Sequence, residues 1–513
     1  MGRPFRGPEL VVPSLVVQWA DPEIFRLVDL AGRVDVSGFE ESYRGDGVGG
    51  VPYDPRLMLV TVWWCFQQQI RSPQVMARQC REQVSLRVVW QRARVPSAAA
   101  LRRFIGGRRL GWQRVAVSLL ALGEQAGVVD VSLTATDSTP VAAPAALSKT
   151  RTAPQITVMI AEVEHELCVL RDQISALADA DVTGFVEAGC GPLHRAEQLL
   201  LIRLARLHTA EDRARQRGTE LAERGEGPLG SLRRWQARVD KHQTELDAMI
   251  EVQQHAVNVY NDKVAAGRKP RGPAPRPPEQ HPGIRSKTQA LHRAQARLAA
   301  AQTTDGGDDG AGKVRDGPRA RANITDPDSR ILKGKNTVRW VFGRLLTITV
   351  VTSQFILAGL LSPAGNDHPG LLPNLHATTV NCHDAGITQP FGHHLADTGF
   401  ACNEVFTTPT APGGGTLLVA VTNEHDQTRH PPGTITEARH QMATRLTTDE
   451  GHALYLRRSP MVEPVFAHLL RLDRHLHTRG DTAQHSETLA IITAYNASKY
   501  LHTRHKPPTR PGT

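Results

Sequence analysis

The sequence predicts a mixed α/β domain that is preceded by an all-helical domain and split by a long helical insertion. Three observations support this. β-branched, partly alternating segments typical of strands occur in two separate blocks, at 127–143 and from 344 onward. Between the blocks lie more than a hundred residues with helical pattern and no strand signal. Ahead of them, 53–125 carries repeated helix-start signals. One sheet built from both blocks explains this order.

Composition favours a nucleic acid as partner. The 513 residues include 61 Lys and Arg against 51 Asp and Glu, a formal net charge of +10, and a basic excess favours polyanions. The six cysteines form no CxxC pair, which argues against a zinc knuckle and a disulfide framework. The N-terminal segment lacks a secretory apolar core, and no apolar run of about 18 residues occurs. We therefore expect a cytoplasmic, nucleoid-associated protein without a membrane partner.

Capping signals organise the helical domain. Asp54-Pro55 and Ser72-Pro73 each place an N-cap residue before a proline at the first helical position. Ser97 can cap a further helix that carries Arg102 and Arg103. A helix-turn-helix DNA reader and an ordinary helical bundle with solvated arginines fit this pattern equally well.

A heptad pattern marks the insertion. Apolar residues recur at spacings of three and four along one predicted helix, as expected for a coiled-coil seam: Ile160, Val163, Leu167, Leu170, Ile174 and Leu177. Both an antiparallel hairpin and a dimer seam remain open. Charged helical segments follow at 193–222, 231–266 and 285–302. We expect this coiled-coil arm to associate with a second copy, giving a homodimer or higher assembly.

Strand signals then return. RLLTITVV at 344–351 and FILAGLL at 355–361 predict a hairpin. One short strand should end in HHLAD at Asp397, and TLLVAVT at 416–422 should form the next. The predicted order is a lead-in 1–52, a helical domain 53–125, the first α/β part 126–150, the insertion 151–302, a flexible linker 303–320, the second α/β part 321–505 and a basic tail 506–513.

Three acidic residues stand where the fold could bring them together. Asp137 is at the predicted end of the first strand, Asp397 follows a later strand, and Glu463 lies in the helix VEPVFAHLL. Converging carboxylates repel one another unless a cation holds them, and hard oxygen ligands suit Mg²⁺ or Mn²⁺. Two such ions about 3.5 to 4 Å apart would serve a displacement at phosphorus. Alternatively, Asp137 caps a turn, and the histidines 393–394 hold zinc, although neighbours on a strand point to opposite faces.

Four stretches resemble motifs of bacterial insertion-sequence transposases of the DDE type, whose catalytic domain has an RNase H-like fold. TATDSTPVAAPA is similar to the first-aspartate motif, and NITDPDSRILKGK at 323–335 is similar to the "TDPDSR" signature. LADTGF at 395–400 resembles the second-aspartate motif, with Phe400 in place of the usual tyrosine. YLRRSPMVEPVFAHLLR at 455–471 resembles the glutamate helix, and 53–104 is similar to the family's N-terminal domain.

The resemblance implies a transposase that binds the terminal inverted repeats of its element, cleaves the strand ends and joins them to target DNA. It implies that Asp137, Asp397 and Glu463 are catalytic and hold two Mg²⁺ (or Mn²⁺) ions. Residues implied or expected to contact double-stranded DNA are Tyr455, Arg458, Arg471, Arg102 and Arg103. Asn366-Asp367 matches a family "ND" pair and is expected to be structural.

Departures from the family pattern keep a second function open. Ala467 replaces a glycine, Leu470 replaces a lysine, Ile105 follows Phe104 where the family has "FR", and GKNTVRWVFG departs from "YNxQ". The alternative is a decayed or domesticated DNA-binding protein without catalysis. A structural coiled-coil protein would explain 155–302 but not the β motifs.

Overall fold

The computed structural model describes residues 18–41, 43, 51–91, 93–180, 187–223, 228–268, 272–303, 320–333, 340–362, 367–408, 411–421, 437–472 and 475–504. The chain forms two compact units, one from Met1–Lys149 with Thr325–Thr513 and the other from Thr150–Ile324. The first unit is mixed α/β, with a six-stranded sheet, and the second is helical. The predicted mixed α/β class is therefore confirmed at this level.

The first unit begins with helices. They are α1 Pro22–Arg33, α2 Ser37–Glu40, α3 Pro55–Gln67, α4 Pro73–Glu82, α5 Val84–Trp90, α6 Ala98–Gly106 and α7 Arg109–Gln125. Two predicted caps are present, because Asp54 accepts the N–H of Arg56 and Ser97 accepts that of Ala100. The lead-in 1–52, whose mixed sequence predicts loose structure, instead contains α1, and Leu27 of this helix is fully buried in the core.

Six strands form the sheet of the first unit. The strands of the chain are β1 Leu133–Ala142, β2 Thr150–Thr152, β3 Arg321–Asn323, β4 Arg330–Lys333, β5 Trp340–Val351, β6 Ile356–Ser362, β7 His393–Ala396 and β8 Thr416–Val419. The sheet order is β4-β5-β1-β7-β8, with β6 also paired to β5. β5 is antiparallel to β1, β4 and β6, whereas β1, β7 and β8 run parallel to one another. The predicted hairpin and the short strands before Asp397 and at 416 are all present.

The first strand is longer than predicted. The Ser-Thr-Pro sequence after Asp137 indicated a turn, but β1 continues to Ala142. Its antiparallel partner β5 pairs along this whole stretch, from Asp137 opposite Ile348 to Ala142 opposite Gly343. Pairing with a neighbouring strand thus overrides the local turn preference.

The second unit is built from helical hairpins. Its helices are α8 Ala153–Ala180, α9 Glu187–Glu223, α10 Pro228–Ala265 and α11 Pro282–Thr303. The antiparallel pair β2–β3 lies in the same unit. Ile160 and Val163 of the predicted seam are buried against Leu207 and Ala210 of α9. This part of the seam therefore closes a hairpin within the chain, one of the two predicted alternatives.

The remaining helices complete the first unit. They are α12 Leu371–Asp384, α13 Asn403–Thr407, α14 Glu437–Thr447, α15 Asp449–Leu456, α16 Arg458–Leu472 and α17 Asp481–Arg504. Helix α17 joins the N-terminal helices to the sheet, because Trp63 Nε1 donates to Thr493 and the amide of Asn496 bonds both main-chain groups of Ile356. None of the described helices has the length and hydropathy needed to cross a membrane. Residues 304–319 of the predicted linker and the tail 506–513 lie outside the described residues.

Candidate active site

The two predicted aspartates are neighbours on adjacent parallel strands. Thr136 of β1 is opposite Ala396 of β7, and Asp137 and Asp397 directly follow this pair. Paired strands lie about 4.8 Å apart, and residues at equal register project to the same face. Asp137 stays within its strand, while Asp397 begins the 3-10 turn Thr398–Phe400. The fold therefore places both carboxylates together at the point where β7 ends.

Arg458 links the two carboxylates. Its Nη1 lies 3.3 Å from Asp137 Oδ2, and its Nη2 lies 3.5 Å from Asp397 Oδ1. The side chain of Arg458 is 12% exposed, that of Asp137 is 13% and that of Asp397 is 42%. The guanidinium carbon also lies 5.8 Å from the ring centre of Tyr455. The structure thus brings together four of the predicted site residues.

The surroundings shift the pKa of both basic and phenolic groups at this site. Burial raises the pKa of Tyr455; the charge of Arg458 opposes this, and the two aspartates add to it. Burial alone would lower the pKa of Arg458, but Tyr455, Asp397 and Asp137 outweigh it and raise that pKa above its ordinary value. Arg458 is therefore a permanently charged group held between two carboxylates.

A further carboxylate, that of Asp367, which is expected to be structural, bonds the residue that follows Asp137 in β1. Ser138 Oγ donates to Asp367 Oδ1 at 2.7 Å. A Cβ atom at Gly399 would lie 2.7 Å from Asp367 Oδ2, so the glycine lets the turn after Asp397 approach this carboxylate. The "ND" match predicted a structural role for this residue, but the sequence did not indicate its partner Ser138, which lies 229 residues away. Asn366 lies outside the described residues.

The structure does not place Glu463 with the aspartates. Glu463 is exposed on α16, whose buried face includes Val462 and Val465. Glu463 is five positions after Arg458 in the helix, so the two side chains point about 140° apart around the helix axis. Within the described residues, no three His, Cys, Asp or Glu side chains form a group able to hold a metal ion. The side chain of Arg471 lies outside the described residues, and Arg102 and Arg103 are exposed on α6.

The "TDPDSR" segment supports the scaffold rather than the site. Ser329 Oγ donates to the carbonyl of Asp326, which stabilises a turn. Arg344 of β5 is fully buried and pairs with Asp328 at 3.5 Å and with Asp481, at the start of α17, at 2.5 Å. The segment therefore connects the sheet to α17.

The His393-His394 pair does not form a metal site among the described residues. His394 is 2% exposed, and its Nδ1 lies 2.5 Å from Oγ1 of Thr134, its partner in the β1–β7 register. Burial lowers the pKa of His394 to about 4; a main-chain hydrogen bond to Gly414 opposes the shift and the charge of His393 adds to it. His394 is therefore a neutral, buried residue of the sheet.

This histidine predicts a pH-dependent stability. Below pH 6.5 the unfolded chain binds a proton on this ring that the folded chain does not bind, until the pH reaches about 4. The neutral His394 ring therefore makes its full contribution to the free energy of unfolding above pH 6.5. This contribution, at most about 3 kcal/mol, is lost as the pH falls toward 4. Urea unfolding at pH 7, 5.5 and 4 should show a smaller loss for His394→Gln than for the wild type. Equal losses in both proteins would contradict the assignment.

Two of the three predicted carboxylates are placed where they could bind a hard divalent cation. Two carboxylate oxygens, from Asp137 and Asp397, already face one positively charged group. Carboxylate oxygens are the ligands that Mg²⁺ and Mn²⁺ prefer. These two aspartates fit such an ion, whereas Glu463 in this conformation does not join them.

Comparison of the chain with protein-family models, with curated proteins and with solved structures found no match. The functional interpretation therefore depends on the site geometry and on the motifs described above.

Proposed function

We propose that the chain is a DNA transposase of the DDE type, which cleaves the ends of its element and joins them to target DNA. The observation that carries this proposal is the meeting of Asp137 and Asp397 on parallel strands around Arg458. The three residues belong to motifs that lie far apart in the sequence.

The sheet supports an RNase H-like core. Its central strand β1 carries Asp137, an antiparallel hairpin flanks one side, and two parallel strands flank the other. This arrangement is the one expected for that fold, and it explains why the second aspartate follows β7.

The residues of the site have separate roles in the proposed reaction. Asp137 and Asp397 would hold Mg²⁺ or Mn²⁺, which, when bound, activates the attacking oxygen and stabilises the leaving oxygen at phosphorus. Arg458 offsets the repulsion between the two carboxylates, and its planar fork can pair with a phosphate oxygen. Tyr455 packs beside that guanidinium and orients it. Glu463 is the third ligand that the resemblance implies.

The test is excision in cells from a donor plasmid that carries the DNA flanking the gene. The wild type should excise the element, and Asp397→Asn should not. If the wild type fails to excise and to cleave the flanking DNA in vitro, the chain is not a transposase for these ends.

Two observations favour the alternative, a DNA-binding protein without catalysis. Arg458 occupies the space between the aspartates, and no third carboxylate completes a metal group in the described residues. Such a protein would bind the flanking DNA and cleave nothing, and its gene would lack terminal inverted repeats.

Asp367 should act as a positioning residue. Asp367→Asn weakens the hydrogen bond that fixes Ser138, and through the β1 backbone the position of Asp137, so we expect a 10- to 100-fold loss of cleavage rate, roughly the effect of groups that orient metal ligands. Single-turnover cleavage should show the loss in the rate at saturating DNA rather than in DNA affinity. Ser138→Ala should show a similar loss, and the double variant should show little more. Independent, additive losses would contradict the coupling.

A further inference from the structure

Arg458 faces the same carboxylate oxygens that the proposed divalent ion would need. Of the two Asp137 oxygens, Oδ1 accepts the main-chain N–H of Ser138 at 2.7 Å, and Oδ2 faces Arg458 Nη1 at 3.3 Å. On Asp397 the oxygen that faces the guanidinium is Oδ1, 3.5 Å from Nη2. A divalent ion that used both facing oxygens would lie against the guanidinium, where the two positive charges repel each other. The arginine and the ion therefore compete for one place.

The pairing of Arg458 with the aspartates is incomplete. A charge-assisted N–H···O bond normally spans about 2.7 to 2.9 Å, and both contacts of this guanidinium are longer. Its Nε is buried and has no hydrogen-bond partner among the described residues, which disfavours this position of the side chain. A guanidinium pairs best when two neighbouring N–H groups bond one carboxylate or phosphate. Here it is divided between two carboxylates, so a partner that accepts the whole fork would hold it more tightly.

Arg458 lies at the junction between two helices. It is the first residue of α16, and α15 ends two positions earlier at Leu456. Its guanidinium lies beside the Tyr455 ring, and one of the carboxylates it faces, that of Asp397, is 42% exposed. One side of the pair is therefore open to solvent. The rotatable bonds of an arginine side chain let the guanidinium turn toward that side without a change in the sheet.

The charges of these three side chains couple the binding of an anion to that of a cation. Two carboxylates and one guanidinium leave a single net negative charge, which opposes an approaching phosphate. A divalent ion alone would have to displace the arginine and leave its charge without a partner. When both bind, the carboxylates pair with the ion and the guanidinium pairs with the phosphate. Each ligand thus removes the obstacle to the other.

We propose that Arg458 exchanges partners when DNA binds: a backbone phosphate takes its guanidinium, and the released aspartates take the divalent ion. The competition between arginine and cation depends on the contacts alone, whereas the identity of the phosphate rests on the proposed function. By thermodynamic reciprocity, DNA raises the affinity for the ion by the same factor as the ion raises the affinity for DNA. The exchange gives the position of Arg458 between the aspartates a purpose in an active enzyme.

Mn²⁺ affinity without DNA, measured from the electron paramagnetic resonance signal of the free ion, tests the competition. Arg458→Gln should bind Mn²⁺ about tenfold more tightly than the wild type, the gain expected if the arginine covers the carboxylates in about nine molecules of ten. Arg458→Lys keeps the positive charge and should stay near the wild type. Arg457→Gln is the matched control, since Arg457 is the exposed neighbour between the two helices, and its affinity should not change. Adding Asp397→Asn to Arg458→Gln should remove the gain.

DNA affinity tests the exchange itself. Anisotropy with a random-sequence duplex, at constant ionic strength, gives the ratio of affinities with and without Mn²⁺. This ratio should be several times larger for the wild type and Arg457→Gln than for Arg458→Gln. Comparing ratios between variants cancels the binding of Mn²⁺ to the DNA itself.

The outcomes keep this inference apart from the proposed function. Equal Mn²⁺ affinities of folded wild type and Arg458→Gln would overturn the competition, even in a chain that cleaves DNA. A gain that persists with Asp397→Asn would place the ion elsewhere and overturn it as well. Equal anisotropy ratios would overturn the exchange with phosphate. Both expected responses in a chain that cleaves nothing would support the exchange and count against catalysis alone.

Discussion

Asp397→Asn should lower strand cleavage and strand transfer on the order of a thousandfold, while folding and DNA binding remain close to those of the wild type. Its side chain is 42% exposed, and its contact with Arg458 is long, at 3.5 Å. Because the carboxylate is open to water and the contact is long, we expect this pair to contribute only about 1 kcal/mol to stability. Removing the charge therefore weakens the proposed metal ligand without disturbing the sheet. Single-turnover cleavage of end-containing DNA in Mg²⁺ measures the effect.

Asp384→Asn is the matched control. Asp384 ends helix α12, its side chain is 48% exposed, and it lies in an exposed pair with His383. The change removes one carboxylate of similar exposure, so cleavage should stay near the wild-type rate. Cleavage by Asp397→Asn at the control rate would exclude Asp397 from the reaction.

A thiolate at the same position tests metal binding directly. Thiolate is a softer ligand than carboxylate, and Mn²⁺ accepts it better than Mg²⁺ does. Asp397→Cys should therefore be inactive in Mg²⁺ and regain part of its activity in Mn²⁺. Recovery in Mn²⁺ would also separate a metal ligand from a residue that only pairs with Arg458. A variant inactive in both ions, with wild-type folding, would favour that second role.

The sequence could predict elements whose signals are local. Asp54-Pro55 and Ser97 start helices where expected, because a cap side chain bonds an N–H only two or three residues away. The strand at 416 follows from a short apolar run, and the strand before Asp397 from the motif that ends in that aspartate. The aspartate pair could be anticipated because Asp137 lies in a strand and Asp397 directly follows one, each inside a recognisable motif.

Other features depend on partners that are distant in the chain, and no local pattern reveals them. The β1 segment after Asp137 is a strand only because β5 pairs with it. Arg71 pairs with a glutamate 416 residues away, and Ser138 bonds an aspartate 229 residues away. The position of Glu463 likewise depends on how α16 packs, which its motif does not specify.

Glu487→Ala should have the largest effect on stability, lowering the free energy of unfolding of the first unit by about 3 to 5 kcal/mol. Its carboxylate and the Arg71 guanidinium are 2% and 4% exposed. The change leaves a buried guanidinium without its counter-charge and leaves the N–H groups of His477 and Thr478 without their acceptor. Urea unfolding of both proteins gives the difference.

Glu82→Ala provides the comparison. Glu82 pairs with Arg78 one turn away at 3.6 Å, and both side chains are more than half exposed, at 61% and 58%. The same chemical change should cost under about 1 kcal/mol there, because water replaces the lost partner. Similar losses for the two variants would show that the buried Arg71–Glu487 pair contributes no more to stability than an exposed pair does. Arg71→Met combined with Glu487→Leu should recover part of the stability, since an apolar pair leaves no buried charge.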